Sequence, residues 1–118
     1  MDLEVQHLGN GIEQVKLAGR LDTAGVEAVD ARLSALTTTQ AAYVVVDLSQ
    51  VSFLASIGIR SLLTGARALK QRGGRMAILS PQSLVAEVLE LTGITKLIPV
   101  FHDLEAASAA LKAPPPGA

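Results

Sequence analysis

The sequence contains no cysteine and no tryptophan among its 118 residues, and it has two histidines, His7 and His102. Without cysteine the chain can form no disulfide framework, and it offers no thiolate for catalysis or for a metal site. The two histidines lie far apart in the sequence, which is not a spacing typical of zinc ligands. We therefore expect no metal site and no thiol chemistry.

Aromatic residues are also scarce, with two phenylalanines and one tyrosine, although apolar residues of all kinds make up 49% of the chain. The core must therefore be aliphatic, and a chain of this length can form one without disulfides or metals. One domain is the expected number at this length, and we place it at residues 1–112. The proline-rich tail at 113–118 cannot join a packed element and is predicted to be disordered.

The chain lacks a strong charge of either sign, since its formal net charge is -1. The chain therefore has no excess of positive charge that could bind nucleic-acid phosphates, and no nucleic-acid partner is expected. There is no run of about 18 apolar residues that could insert into a membrane. The acidic, alternating start MDLEVQHLGN differs from a basic-then-apolar signal peptide. These patterns predict a soluble cytoplasmic protein.

Turn residues and hydrophobic periodicity predict how the N-terminal part folds. Gly9, Asn10 and Gly11 separate two strand-like segments, which indicates a β-hairpin. The segment GRLDTAG at 19–25 ends the second strand, and Thr23 is the predicted N-cap of the first helix. The inward face of that helix is predicted to contain four residues at helical spacing: Val26, Val29, Leu33 and Leu36.

Strands and helices alternate in the rest of the chain. The apolar run at 43–48 predicts a central strand covered on both faces. A second helix begins at Ser56, and 76–79 is predicted to be a short buried strand. Ser80, followed by proline, is the predicted N-cap of a third helix, with Leu84 among its inward-facing residues.

A last short strand over 97–101 and a small helix from Asp103 to about Lys112 complete the predicted elements. Strands that alternate with helices predict an α/β fold, with helices packed against a mixed sheet. We expect a central sheet of four to five strands and about four helices.

The segment 44–60, VVVDLSQVSFLASIGIR, delivers Ser56 to an exposed turn between a strand and a helix. One interpretation is a helix N-cap, whose hydroxyl accepts a backbone N–H bond worth about 1 kcal/mol. The other is a phosphoacceptor, because a phosphoryl group is tolerated at the positive end of a helix. Arg60 lies one helical turn further on and could reach such a phosphate. The two interpretations are not exclusive.

Enzymatic alternatives have weaker support. The sequence LASIG around Ser56 matches the nucleophile elbow G-x-S-x-G only at its last glycine, and neither His7 nor His102 is placed as a general base. The glycines at 9–11 lie in a hairpin turn, and those at 73–74 end a helix, so neither group forms a phosphate-binding loop. We therefore expect neither an enzyme nor a bound cofactor.

Asp22 and Asp47 both follow predicted strands, at the positions where functional groups of α/β sheets collect. Each could instead accept backbone N–H bonds in a turn. For Asp47 we favour this structural role. For Asp22 both interpretations stay open.

Four segments in this order resemble those of the STAS domain, the fold shared by bacterial anti-sigma-factor antagonists and the cytoplasmic tails of sulfate transporters. They are GRLD at 19–22, VVVDLSQVSFLASIGIR at 44–60, GGRMAILSP at 73–81 and VLELTGITKLIPVF at 88–101. The resemblance covers about residues 1–112 and implies the STAS fold and a bacterial source.

The resemblance also implies a regulatory mechanism. In such antagonists the serine that opens the helix after the third strand is phosphorylated by an anti-sigma factor, a serine kinase of the GHKL type. The unphosphorylated antagonist binds that kinase and frees a sigma factor for transcription, and a PP2C-type phosphatase resets the switch. Ser56 falls at the phosphorylated position, Asp22 at the acidic residue beside it, and Gly58 at a glycine that lets the helix start close to neighbouring backbone.

The chain departs from the family pattern next to this serine. The pattern has aspartate immediately before the phosphoacceptor and serine or threonine after it, where this chain has Ala55 and Ile57. Arg60 replaces a small residue. The change at Ala55 removes a group that could orient the serine or contact a kinase, and it also removes like-charge repulsion against a phosphate.

The leading hypothesis is therefore a non-enzymatic anti-sigma-factor antagonist regulated by phosphorylation of Ser56. The predicted partner-binding face consists of five residues: Asp22, Ser56, Gly58, Arg60 and Thr64. The alternative is a STAS binding subunit without phosphorylation, for example in an ABC-type lipid transport complex, where Ser56 would only cap its helix. A weak homodimer is compatible with either hypothesis.

Overall fold

Five strands form one mixed sheet in the computed structural model, which describes residues 1–40 and 42–112. The strands lie in sequence order, and their bounds are β1 Asp2–Gly9, β2 Ile12–Leu21, β3 Tyr43–Leu54, β4 Arg75–Leu79 and β5 Val100–Phe101. Strand β1 pairs antiparallel with β2, and the other neighbours pair parallel. The predicted tail at 113–118 lies outside the described residues.

Helices connect the parallel strands and follow the last one. Their bounds are α1 Thr23–Ala35, α2 Ser56–Gln71, α3 Ser83–Thr92 and α4 Leu104–Lys112. A π-helical turn, Leu36–Gln40, continues α1, and a 3-10 turn, Ile94–Lys96, follows α3. The predicted mixed sheet with about four helices is confirmed. Among the described residues, no helix is both long enough and apolar enough to span a membrane.

Aliphatic side chains fill both faces of the central strand. Val44 and Val46 belong to a large cluster that α1, α2 and α3 cover, whereas Val45 belongs to a smaller cluster covered by α4. All three valines are fully buried, which confirms the prediction that this strand is covered on both sides. The alternation follows from the period of two residues along a strand.

The β1–β2 hairpin turns where the sequence predicts it. Gly9, Asn10 and Gly11 all have positive φ, at 83°, 56° and 78°, a conformation that glycine and asparagine tolerate. The carbonyl of Gly11 then accepts a hydrogen bond from the backbone N–H of Tyr43 at 2.9 Å, which ties the hairpin to the start of β3.

Some predicted helix boundaries and faces are wrong. The N-cap of α1 is Asp22 and not Thr23. Helix α3 begins at Ser83 rather than near Ser80, because Ser80 adopts φ 50° and cannot open a right-handed helix. Leu84, predicted to face inward, is 72% exposed, because the buried face of α3 is formed by Val85 and Leu89, four residues apart.

The predicted last strand over 97–101 is shorter than expected. Only Val100 and Phe101 pair with β4, because Leu97 closes the 3-10 turn and Pro99 has no N–H to donate to a strand partner. Asp103 opens α4 as predicted, since its carboxylate accepts the backbone N–H of Ala106 at 3.0 Å.

Candidate functional site

The carboxyl ends of β2 and β3 meet at one edge of the sheet. Leu21, the last residue of β2, pairs with Leu54, the last residue of β3. The backbone N–H of Ala55 donates to the carbonyl of Leu21 at 3.0 Å, so the pairing continues one residue beyond the strands. Because α1 starts directly after β2 and α2 directly after β3, the N-termini of the two helices lie side by side at this edge.

Asp22 caps α1 at this edge. Its carboxylate accepts the backbone N–H of Gly25 at 2.9 Å and contacts the Nε of Arg20 at 3.4 Å. The Gly25 N–H, and then Arg20, hold the pKa of the Asp22 carboxyl below its usual range because they favour the ionised form. Asp22 is therefore a fixed negative charge at neutral pH.

Ser56 is the first residue of α2 and is exposed to solvent. The N-cap is Ala55, which has extended backbone angles and no side chain that could accept an N–H. Within the described part of the chain, the Ser56 hydroxyl makes no hydrogen bond. The interpretation of Ser56 as an N-cap is therefore wrong, because the helix begins one residue earlier than that role requires. The hydroxyl is accessible at the positive end of the helix.

Gly58 lies in the first turn of α2, where the helix packs closely against the ends of β2 and β3. A Cβ atom at this position would lie 2.7 Å from Leu54 Cδ1 and 3.0 Å from the carbonyl oxygen of Leu21. No side chain fits there without a shift of the backbone or of Leu54. The missing side chain thus allows the helix that carries Ser56 to begin directly against the sheet edge.

Arg60 and Thr64 lie further along α2, and both are exposed. The Thr64 hydroxyl donates to the carbonyl of Arg60 at 2.9 Å, so it is engaged by its own helix. The Arg60 guanidinium forms no hydrogen bond or ion pair with any described residue. It is therefore free to pair with an anion.

Asp47, the other acidic residue that follows a predicted strand end, has a structural role. It lies inside β3, where its carboxylate accepts the backbone N–H of Ser49 at 2.9 Å and the Nε2 of Gln14 at 3.4 Å. Both partners are local to the sheet, which agrees with the structural role favoured from the sequence.

Two residues at this edge were not singled out from the sequence. The guanidinium carbon of Arg20 lies 4.2 Å from the ring centroid of Phe53, which is 40% exposed. The two residues are cross-strand partners in the β2–β3 register. Arginine and aromatic residues are enriched in protein interfaces. No sequence pattern brings the two together, because they become partners only after two irregularities in the β2–β3 register.

The arrangement has few features of an active site. No group of three or more His, Asp or Glu side chains that could hold a metal ion occurs in residues 1–40 and 42–112. Ser56 has no base bonded to it, and the charged groups at the edge, Asp22 and Arg20, pair with each other. The Ser56 hydroxyl and the Arg60 side chain are both exposed to solvent.

Known proteins share sequence and fold with this chain. Residues 5–107 match the family model described as the STAS domain. The chain is 33% identical over 96 residues to BtrV of Bordetella bronchiseptica, a protein provisionally named an anti-sigma factor antagonist. The match covers 81% of this chain and 83% of that one. It is 26% identical over 104 residues to the anti-sigma F factor antagonist of Paenibacillus polymyxa, covering 87% of this chain and 88% of that one.

Solved structures share the fold. An anti-sigma factor antagonist from Mycobacterium paratuberculosis superimposes with a TM-score of 0.84 at 23% identity, covering 95% of this chain and 94% of that one. The anti-sigma factor antagonist SpoIIAA in its unphosphorylated form gives 0.79 at 21% identity, covering 97% and 100%. The murine anion transporter Slc26a9 gives 0.73 at 20% identity, and the match covers 88% of this chain and 18% of the transporter.

Proposed function

Because the chain belongs to the STAS-domain family, we propose that it is an anti-sigma factor antagonist whose binding is switched by phosphorylation of Ser56. The unphosphorylated chain binds an anti-sigma factor that is also a GHKL-type serine kinase, and the bound kinase releases a sigma factor for transcription. Two relatives with names of this kind support the proposal. The observation that carries it is the exposed Ser56 hydroxyl, which no described residue engages.

The chemistry of the switch belongs to its partners. The kinase transfers the γ-phosphoryl group of ATP, so a bond forms from Ser56 Oγ to phosphorus while the bond to the leaving ADP breaks, and the hydroxyl proton is lost. A PP2C-type phosphatase hydrolyses the ester and restores the hydroxyl. The chain itself contributes an accessible nucleophile at a helix start and performs no catalytic step.

Electrostatics explains how one phosphate would end binding without unfolding the domain. The group adds a charge of about -2 at neutral pH, at the edge that already carries the ionised Asp22. The N-terminus of α2 favours this negative charge, so the fold tolerates it. A partner surface that fits the neutral hydroxyl would have to strip water from the phosphate in order to bind. Removing water from this anion costs binding free energy.

The proposed partner face consists of the exposed groups at this edge. Asp22 and Ser56 lie at the two helix starts, and Arg60 and Thr64 extend the face along α2. Gly58 contributes by holding the start of α2 against the sheet, since it is buried. After phosphorylation, Arg60 is one helical turn from the phosphate and is available to pair with it.

Phosphorylation and binding can be tested together. The purified chain is incubated with ATP and the cognate kinase, and the product is analysed by mass spectrometry, with Ser56→Ala as the control. One phosphate on the native chain and none on Ser56→Ala are expected. The phosphorylated chain should bind the kinase at least about tenfold more weakly than the unmodified chain. An unmodified Ser56, together with full binding by Ser56→Asp, would refute the switch.

A second candidate is a constitutive STAS binding subunit, for example of an ABC-type lipid transport complex. The apolar neighbours Ala55 and Ile57, in place of acidic and hydroxyl residues, favour it, because they leave a kinase little to recognise around Ser56. An affinity pull-down with the native chain separates the two functions. Recovery of a GHKL-type kinase supports the antagonist, whereas recovery of a transporter ATPase subunit supports the alternative.

A further inference from the structure

Helix α3 presents an apolar stripe that the fold does not bury. Leu84 is 72% exposed and Leu91 is 81% exposed. They lie seven residues apart and so share one helical face, about 10 Å apart along the axis. Val88 lies between them and is partly buried against the core. Val85 and Leu89 already supply the core contacts of α3, so the two leucines are not needed for folding.

The charged residues of α3 itself are of one sign. Glu87 and Glu90 both lie on α3, and the helix contains no lysine or arginine. We propose that this face of α3 binds an amphipathic helix of another protein, in which an apolar stripe is flanked by lysine or arginine. The two exposed leucines lie two helical turns apart, which matches the spacing of apolar residues on such a helix. The glutamates would pair with the lysine or arginine side chains beside its apolar stripe.

A second copy of this chain is a poorer occupant of the same face. If two α3 helices packed antiparallel about a two-fold axis, Leu84 of each copy would meet Leu91 of the other. The axis would then pass between positions 87 and 88, so that the two Glu87 side chains would lie next to each other. Like charges at the centre of an interface oppose association.

A membrane surface is also a poorer occupant. Helices that lie on membranes carry lysine and arginine beside the apolar stripe, because the lipid headgroups are anionic. Here Glu87 and Glu90 occupy that position and would be repelled. The charge of α3 therefore selects a basic protein helix among the three occupants. The proposal does not depend on phosphorylation of Ser56.

The test uses the full chain and a synthetic helical peptide of about 20 residues, long enough to hold a helix in water. The peptide carries a leucine stripe with lysine flanks, and a matched peptide carries glutamate in place of lysine. Each peptide is titrated into the chain and the backbone amides are followed by nuclear magnetic resonance. The basic peptide should shift amide resonances centred on Ser83–Thr92, and the acidic peptide should not. Leu84→Ser and Leu91→Ser should each weaken binding about tenfold.

Leu97→Ser is the matched control, since Leu97 is also exposed, at 66%, but lies outside α3. Its binding should match that of the native chain. Circular dichroism of all three variants checks that the fold is kept. The proposal is overturned if the acidic peptide binds equally well, or if all three leucine variants weaken binding alike. It is also overturned if the free chain dimerises through α3 in sedimentation analysis or binds anionic vesicles through it.

Discussion

Asp22 combines two roles that single substitutions can separate. Its carboxylate caps α1 through Gly25, and its charge lies at the edge that carries Ser56. An asparagine side chain would still accept the capping N–H, so Asp22→Asn should keep the melting temperature but weaken partner binding. Asp22→Ala removes the cap and should lower the melting temperature by about 5 °C. Thermal unfolding and calorimetric binding measure the two effects. Equal destabilisation by both variants would contradict the capping role.

The lowered pKa of Asp22 also predicts a pH dependence of stability. Because the folded pKa lies below the usual 3.8, the unfolded chain binds this proton more readily than the folded chain. The stabilisation is fully present above pH 3.8 and is lost as the pH falls through the folded value. The native chain should therefore lose stability relative to Asp22→Asn as the pH falls from neutral to below 3.8. Urea unfolding across this range measures the difference, and a constant difference would contradict the prediction.

Gly58 tests the close packing that supports the Ser56 helix. Gly58→Ala places a Cβ 3.0 Å from the Leu21 carbonyl and should destabilise the fold by about 1–3 kcal/mol. Gly65→Ala is the control within the same helix, because its closest neighbours are side-chain atoms and not backbone: Met76 Cε and Thr37 Cγ2, both at 3.1 Å. Chemical denaturation of both variants provides the comparison. A larger loss for Gly65→Ala would show that the sheet edge can relax around Gly58.

At the scale of elements, α4 supports the second, smaller core. Leu111 is 1% exposed and packs with Val45 and Ala77 on the sheet face that α1, α2 and α3 leave open. Leu111→Ala should cost about 2–5 kcal/mol, because it removes buried methyl groups and leaves a cavity. Ala109→Ser, at an exposed position of α4, should cost much less. Denaturant unfolding of the two variants measures this, and a negligible cost at Leu111 would mean that α4 is dispensable.

The sequence predicts the elements better than their ends. Three consecutive valines at 44–46 leave no polar residue for a solvent-facing side, so burial on both faces of β3 could be predicted. The cap of α1 could not, because Asp22 and Thr23 are adjacent and both are good N-caps, and tertiary context selects between them. The start of α3 depends on the positive φ of Ser80, a backbone state that no side-chain pattern in SPQS reveals.

The pairing of Arg20 with Phe53 shows the same limit at the candidate site. These residues are far apart in sequence, and two irregularities interrupt the β2–β3 register before they meet. Alternation of apolar and polar residues no longer predicts which face of the sheet a side chain occupies beyond such an irregularity. Each irregularity moves the following side chains to the other face. Ser56 was found from the strand-to-helix order, whereas the pairing of Arg20 with Phe53 required the register.

At the scale of the whole molecule, the proposed switch should act on the surface and leave the fold unchanged. Ser56 is exposed, its hydroxyl bonds to no described residue, and the N-terminus of α2 favours an added negative charge. The phosphorylated chain should therefore melt within a few degrees of the unmodified chain. Its amide resonances should shift mainly around Asp22 and the first turns of α2. Calorimetry and nuclear magnetic resonance measure both, with Ser56→Ala treated identically as the control. A large drop in melting temperature, or shifts spread over the sheet, would mean that phosphorylation acts by unfolding and not by changing the partner face.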